Sequence, residues 1–199
     1  PLAVELAAAR AAVLRPSEIL ARLDRKFDLL RSSQRDLTPR QRTLIGAIEW
    51  SFDLLTADER SAFLQACVFR GGFGTEAAAA VIELPGGAPA VREAVRGLRQ
   101  QSLLRDVAGE GPRRYAMYVA IHEYAWQRWR WTADEAAQRA LDLRHVAHFA
   151  LVSEDLWRRA RREGSGEPCE TLDAEAENLG AAHDAAVARG EGELAARLA

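Results

Sequence analysis

The feature that most constrains this chain is a change of hydrophobic period near its middle. Upstream, apolar side chains recur at helical spacing, whereas segments 103–107 and 113–117 have the pattern of two short strands joined by the turn 109–112. Helical spacing returns from residue 119 onward. Helices followed by one hairpin have the order of a winged helix. The chain is therefore predicted to be mainly α-helical, with a small two-stranded β-wing.

Capping patterns predict where two of the helices begin. Thr38 and Pro39 precede a helical pattern, and Gln41 stands three residues after the cap. Thr56 and Glu59 have the spacing of a second capping box. The later predicted helices span 76–83, 88–101, 119–130, 133–162, 170–188 and 191–199.

The composition excludes several classes of protein. Hydrophobic residues make up 48% and charged residues 28%, and the net charge is −2. This charge gives the chain as a whole no strong attraction for nucleic acid or acidic membranes. No apolar run approaches the roughly 20 residues of a membrane span, and no secretory signal pattern opens the chain. We therefore expect a soluble cytoplasmic protein with no membrane partner.

The first residues and the cysteines indicate the context of the chain. It opens without Met inside an Ala-rich helical pattern, 1–10, so we expect a piece of a larger protein. Cys67 and Cys169 match no metal or redox spacing. Their pairing stays open, but two thiols in a reducing cytosol is the simpler interpretation.

A local excess of arginine forms the main candidate site. Residues 88–130 contain eight arginines and four acidic residues. In a winged helix the third helix enters the major groove and the wing contacts the DNA backbone. The candidate residues for a nucleic-acid or partner surface are Arg92, Arg96, Arg99, Arg105, Arg113 and Arg114. DNA phosphates and an acidic protein surface both remain open as partners.

No arrangement of residues predicts catalysis or metal binding. The chain has no Gly-x-Ser-x-Gly elbow, and the turn 71–74 lacks the Lys-Ser/Thr of a phosphate loop, so it is interpreted as a helix stop. His145 and His148 lie near Asp142, but two histidines do not make a metal site, and partly buried helix residues are the preferred interpretation. We expect no catalytic residue, metal ligand or bound cofactor in this chain.

The tryptophans allow two interpretations. Trp126, Trp129 and Trp131 follow the wing, and such a cluster on a helix is able to stack nucleic-acid bases. Packing between the winged helix and the long helix after it is the preferred interpretation, because buried tryptophan often anchors such contacts. Trp50 and Trp157 are assigned the same packing role.

Several short motifs follow one another in a specific order. They are 1–10, 42–55, 68–73, 101–104, 115–125, 177–179 and 190–195. Together they resemble the C-terminal part of the nucleotide-binding module of STAND signalling ATPases, of the NB-ARC type. The first resembles the end of the Gly-Leu-Pro-Leu-Ala motif, the next four the winged helix, and the last two the entry into a tetratricopeptide-like (TPR-like) domain. The bacterial members fuse this module to a serine/threonine kinase, a cyclase or a DNA-binding domain.

The resemblance implies three consecutive parts. These are the tail of a helical lid in 1–37, a winged helix in 38–131 and the start of a TPR-like repeat domain in 132–199. ATP or ADP with Mg²⁺ would bind an upstream domain, since this chain has no Gly-x4-Gly-Lys-Ser/Thr loop. Only Pro1 and Leu2 would approach that nucleotide.

One position departs from the family pattern. In the family, a histidine near the end of the wing strand touches the nucleotide phosphates, and Tyr118 occupies the matching position here. Direct phosphate sensing by this domain is therefore not expected. His122, four residues later, is interpreted as a surface or helix-packing residue.

The resulting hypothesis is a non-catalytic regulatory module that couples nucleotide state to signal output. Its partners would be the upstream nucleotide-binding domain, a protein or small ligand at the TPR-like region, and a second copy of the chain. The alternative hypothesis is a DNA-binding winged-helix transcriptional regulator. The sensed signal and the output domain stay open.

Overall fold

The computed structural model describes residues 8, 39–108, 112–163 and 166–198. Of the predicted lid segment 1–37, the structure describes Ala8 alone. The predictions that fall outside the described residues concern Pro1, Leu2, the cap Thr38, the turn residues 109–111 and the side chain of Cys169.

The described elements are mainly helices. They are α1 (Pro39–Asp53), α2 (Ala57–Gln65), α3 (Thr75–Val81), α4 (Gly87–Gln100), α5 (Val119–Thr132), α6 (Glu135–Glu163), α7 (Gly166–Ala188) and α8 (Gly192–Leu198). The strands are β1 (Phe73–Gly74), β2 (Arg105–Val107) and β3 (Arg114–Ala116), and a 3₁₀ turn spans Ala66–Val68. The predicted mainly α class with a small β-wing is confirmed.

The described strands form one antiparallel sheet in the order β1-β3-β2. Tyr115 in β3 lies opposite Phe73 on one side and opposite Asp106 on the other. The sheet thus has three strands where two were predicted. The sequence did not predict β1 because this strand is only two residues long and shows no alternation of apolar and polar residues. The order α2, β1, α3, α4, β2, β3 is that of a winged helix, with α4 as its third helix.

The start of α2 confirms the second predicted capping box. The Thr56 hydroxyl accepts a hydrogen bond from the backbone N–H of Glu59, and the Glu59 carboxylate accepts one from the backbone N–H of Thr56 at 2.9 Å. Both donors would otherwise lack a partner at the helix N-terminus. Local sequence therefore determines where this helix begins.

Replacing Thr56 with alanine removes the side-chain acceptor of this cap. We expect the free energy of unfolding to fall by about 1 kcal/mol, the typical cost of losing an N-cap. Urea denaturation followed by circular dichroism measures the change. Thr56→Ser keeps the hydroxyl and is expected to retain most of the stability, whereas equal losses in both variants would contradict the capping explanation.

The turn 71–74 ends the first half of the winged helix. Gly71 and Gly72 have φ angles of +69° and +140°, which L side chains rarely adopt. A β-carbon on Gly72 would also lie 3.1 Å from the carbonyl oxygen of Tyr115. The predicted helix stop is therefore a tight turn that brings the chain directly against β3.

Aromatic side chains link the parts of the chain into one continuous core. In the winged helix, the ring of Phe63 packs against Phe52, with ring centroids 5.6 Å apart. Phe69 stacks on Phe73 at 4.4 Å and meets Phe149 of α6 edge-on at 6.4 Å. The same cluster of buried side chains continues to Ala195 in α8. The winged helix and the helices after it therefore share their hydrophobic interior.

The last three helices pack side by side. Arg189 near the end of α7 pairs with Asp142 near the start of α6, so these two helices run antiparallel. Further along, Arg197 of α8 pairs with Glu154 of α6 at 2.6 Å. Helix α6 is 29 residues long, but within the described chain no helix combines the length and apolarity needed to cross a membrane.

The tryptophans divide into packed and exposed residues. Trp50 is buried, and Trp126 and Trp129 pack against the core, as predicted. The packing prediction is wrong for Trp131 and Trp157, which are 87% and 61% exposed. Both lie on the outer side of their helices, which periodicity does not show when charged and apolar residues are mixed around a helix.

Candidate functional site: the arginine face and the α7 interface

Helix α4 presents a charged side to solvent because its apolar side is fully used. Val91, Val95 and Leu98 are buried, each at most 1% exposed. These positions lie three and four residues apart, so the arginines between them point outward. We call the exposed arginines of α4 and the wing the arginine face, which comprises Arg92, Arg96, Arg99, Arg105 and Arg113.

Most charges of the arginine face are paired within the chain. Arg96 forms an ion pair with Glu93, and the Nε of Arg99 donates to the Asp106 carboxylate at 3.0 Å. Asp106 also lies 3.6 Å from Arg113. The hydrogen bond from Arg99 lowers the pKa of the Asp106 carboxyl group, so that group stays charged. The local positive excess seen in the sequence is therefore reduced at the surface.

The other two arginines of this face, Arg92 and Arg105, take no part in these ion pairs. Arg92 has no ion pair within the described residues. The Arg105 guanidinium lies over the Tyr118 ring, 5.6 Å from its centroid. Tyr118 is 36% exposed and precedes the first residue of α5, at its N-cap position.

Arg114 is not an exposed cation, which corrects the predicted surface. Its side chain is 20% exposed and forms an ion pair with Glu175 of α7. It also donates to the carbonyl oxygens of Gly72 at 3.2 Å and Ala174 at 2.9 Å. Arg114 therefore joins β3 to α7 instead of facing a partner molecule.

Arg114 belongs to a contact region that we call the α7 interface, formed by the turn 70–72, strand β3 and helix α7. At its centre, Asn178 is fully buried. Its Oδ1 accepts the backbone N–H of Arg70 at 2.7 Å, and its Nδ2 donates to the Gly72 carbonyl at 2.7 Å. The same Nδ2 donates to Glu175 at 3.0 Å. One side chain thus satisfies backbone groups more than one hundred positions away in the chain.

Sequence reasoning missed the α7 interface. The only available signal was a polar residue, Asn178, inside the apolar stripe that continues at Leu179, Ala182 and Ala186. A buried polar residue in such a stripe needs hydrogen-bond partners. Its backbone partners, Arg70 and Gly72, lie in the turn 70–72 of the winged helix, and no local pattern identifies them.

His122 also packs against this region, as one of its two predicted roles requires. Its Nε2 lies 3.2 Å from the Phe69 carbonyl oxygen, and its ring contacts the Arg70 guanidinium. Burial lowers the pKa of His122, and the positive charge of Arg70 lowers it further. His122 is therefore neutral at physiological pH.

His145 is more deeply buried than predicted, at 1% exposed. Its ring contacts both Phe69 and Phe149, and its Nε2 has no hydrogen-bond partner among the described residues. Burial lowers its pKa to about 4. His148 is partly buried, and no group of three or more metal-ligating side chains occurs in the described part of the chain.

This pKa predicts how stability depends on pH. In the unfolded chain His145 titrates near its ordinary pKa of about 6.5, so the unfolded state binds a proton first as pH falls. The stabilisation from neutral His145 is fully present above pH 6.5 and is lost progressively between pH 6.5 and about 4. Urea midpoints measured across this window are expected to fall toward acid pH.

His145→Gln removes the titrating group. It is expected to reduce the slope of the free energy of unfolding against pH by the equivalent of about one bound proton. His183→Gln is the matched control, because its ring is partly exposed, with 40% of the side chain accessible. Identical pH dependence in the two variants would contradict the assignment to His145. Part of the dependence is expected to remain, because burial also lowers the pKa of His122 and His148.

Cys67 is buried and free, in agreement with the expected unpaired thiols. Burial raises the pKa of its thiol to about 12. The reactive thiolate is therefore scarce at neutral pH. Cys67 serves as a small apolar core residue.

Comparison with known proteins identifies mycobacterial relatives. Over 157 residues, or 78% of this chain, it is 31% identical to inferred HTH-type transcriptional regulators of Mycobacterium tuberculosis and Mycobacterium bovis, of which it covers 17%. Over 81 residues, or 41% of this chain, it is 42% identical to an uncharacterized protein of Mycobacterium tuberculosis, of which it covers 21%. The chain thus spans about a fifth of the length of these relatives. No protein-family model and no solved structure matches it.

Proposed function

We propose that this chain is a non-catalytic regulatory module of a larger STAND-type signalling ATPase or transcriptional regulator. In that protein it transmits the nucleotide state of an upstream domain through the winged helix to a TPR-like helical region. ATP or ADP with Mg²⁺ binds the upstream domain. The observation that carries this proposal is the α7 interface, because it joins the two parts by buried hydrogen bonds as well as by a shared core.

Buried polar contacts of this kind favour one relative position of the two parts. If the turn 70–72 and α7 moved apart without water replacing their hydrogen bonds, each unpaired buried group would cost about 1–3 kcal/mol. A displacement of the winged helix by an upstream domain therefore moves α7 with it. A module that transmits a conformational change needs this stiffness.

The relatives support a regulatory role for the parent protein. The similarity to inferred HTH-type transcriptional regulators extends over most of this chain but covers a small part of each regulator. Such coverage is what a module within a long multidomain regulator would give. The proposed TPR-like region would bind a protein partner or a small ligand, and the exposed Trp131 and Trp157 leave apolar surface for contacts with other parts.

The alternative function is DNA binding by the winged helix. It is favoured by the exposed position of the arginine face on α4 and the wing. Against it, Glu93 and Asp106 already pair with Arg96 and Arg99. Glu93 also places a negative charge on the side of α4 that would approach phosphates, and this lowers the affinity expected for DNA.

A DNA titration separates the two functions. Fluorescence anisotropy of the 199-residue chain with mixed-sequence duplex DNA, at low and moderate salt, is expected to show at most weak binding. The triple variant Arg92/Arg96/Arg99→Ala tests the arginine face. Its matched control is Arg158/Arg161/Arg162→Ala, which removes three exposed arginines from α6. Tight, salt-steep binding that only the first variant loses would establish the DNA-reader function.

A second experiment tests transmission in the full-length parent protein. Hydrogen–deuterium exchange of segment 174–179 is expected to differ between the ADP-bound and ATP-bound states. Asn178→Ala is expected to abolish this difference while nucleotide binding at the upstream domain is retained. Exchange that is insensitive to the nucleotide in the natural sequence would overturn the proposed transmission.

A further inference from the structure

A cavity of about 490 Å³ opens beside the α7 interface. Its lining comes from the turn 70–73, the sheet, the first turns of α5 and helix α7. The volume lies in the range of small-molecule sites, about 300–1,000 Å³. A ligand in this cavity would touch the winged helix and α7 at the same time.

Arg70 provides the first reason to expect a charged ligand. Its guanidinium lies over the ring of Trp126, 5.4 Å from the centroid, and 3.2 Å from Nε2 of His122. Its backbone N–H is held by Asn178. Within the described chain no carboxylate pairs with Arg70, and the neighbouring His122 is a neutral ring that supplies no counter-charge. A half-buried guanidinium without a counter-ion attracts an anionic group.

The cavity lining carries both signs of charge. Arg105 lines it together with Arg70, and Glu123 and Glu177 line it as well. None of these four forms an ion pair in the part of the chain that the structure describes. The Glu177 carboxyl carbon lies 3.1 Å from where a β-carbon on Gly71 would stand, so this acid is held against the turn. A ligand with one negative and one positive group would satisfy both kinds of side chain.

Apolar side chains complete the lining. Met117 is partly exposed and Val119 is 76% exposed, whereas Phe69 and Phe73 lie behind them in the core. Met117 and Val119 offer a surface for a hydrocarbon group next to the charged residues. The lining therefore combines cationic, anionic and apolar elements.

We propose that this cavity binds a small zwitterion of the α-amino-acid type with an apolar side chain. Its carboxylate pairs with Arg70 and Arg105, and its ammonium group faces Glu123 and Glu177. Because the ligand bridges the winged helix and α7, its binding stabilises their association by mass action. The inference rests on the proposed regulatory function only for this consequence, since binding itself requires no nucleotide domain.

Isothermal titration calorimetry of the 199-residue chain tests this proposal, with L-phenylalanine and L-leucine as probes. We expect saturable binding of at least one of them. N-acetyl-L-phenylalanine lacks the ammonium group and L-phenylalaninamide lacks the carboxylate, so each is expected to bind about two- to fivefold more weakly, the effect of one partly exposed charge pair.

Variants locate the binding to the cavity. Arg105→Ala and Glu177→Gln change exposed side chains and are expected to weaken binding about two- to fivefold without unfolding the chain. Arg92→Ala and Glu170→Gln remove matched exposed charges outside the cavity and are expected to leave the affinity unchanged.

Two results would overturn the inference. One is the absence of binding up to about 10 mM of either amino acid, tenfold above a weak Kd of ~1 mM. The other is equal affinity for the amino acid and its single-charge analogues. Neither result bears on the nucleotide-dependent exchange of segment 174–179 in the parent protein, so the two proposals fail independently.

Discussion

Replacing Asn178 with alanine is expected to lower the free energy of unfolding by about 3 kcal/mol. The substitution removes the acceptor for the Arg70 N–H and the donor for the Gly72 carbonyl, both at 2.7 Å. Each buried backbone group left without a partner costs about 1–3 kcal/mol. Equilibrium urea unfolding, monitored by circular dichroism, measures the loss.

The control for Asn178 is Asp173→Ala, which changes an exposed residue of the same helix and is expected to stay within about 0.5 kcal/mol of the natural sequence. Asn178→Asp adds a sharper comparison. It keeps an acceptor for Arg70 but loses the donor and places a carboxylate 3.0 Å from the Glu175 oxygen that the amide now contacts. If the Asn178→Asp variant were as stable as the natural chain, the hydrogen-bond explanation would be refuted.

Phe149→Ala is expected to cost about 3–5 kcal/mol, because it removes a fully buried aromatic ring and leaves a cavity. Phe149 of α6 contacts Phe69 of the winged helix and packs near His145 at 4.7 Å. If the two parts share one core, the whole chain loses this stability together. Unfolding followed by circular dichroism and by tryptophan fluorescence is then expected to give coincident midpoints that shift equally.

Leu151→Ala is the matched control on α6, since Leu151 is 57% exposed, and its expected effect is below about 0.5 kcal/mol. Two separate transitions in the Phe149→Ala variant, with one of them unchanged, would show that the winged helix and the last helices unfold independently. That result would also remove the structural basis for transmission between them.

Together, these two variants test the two kinds of contact that hold α6 and α7 against the winged helix. The shared core supplies most of the association energy, since burial of apolar surface is the dominant favourable contribution to folding. The α7 interface supplies the specificity of position, because Asn178 and Arg114 reach their partners in one arrangement. The proposed regulatory function depends on both.

The amino-acid sequence by itself determined the features that depend on neighbouring residues. The start of α2 follows from Thr56 and Glu59, which satisfy each other's backbone groups three residues apart. The amphipathic pattern of α4 and the patterns of the two wing strands are likewise local, and this helix and these strands formed as predicted. Short-range hydrogen bonds and side-chain periodicity are sufficient for such elements.

Tertiary structure alone decided the features that depend on distant residues. Strand β1 exists because Phe73 pairs with Tyr115, and Arg114 is withdrawn from the surface because Glu175 lies beside it. The exposure of Trp131 was decided in the same way, by which side of α5 the rest of the chain covers. These outcomes depend on contacts between segments far apart in the sequence, whose relative positions no local pattern specifies.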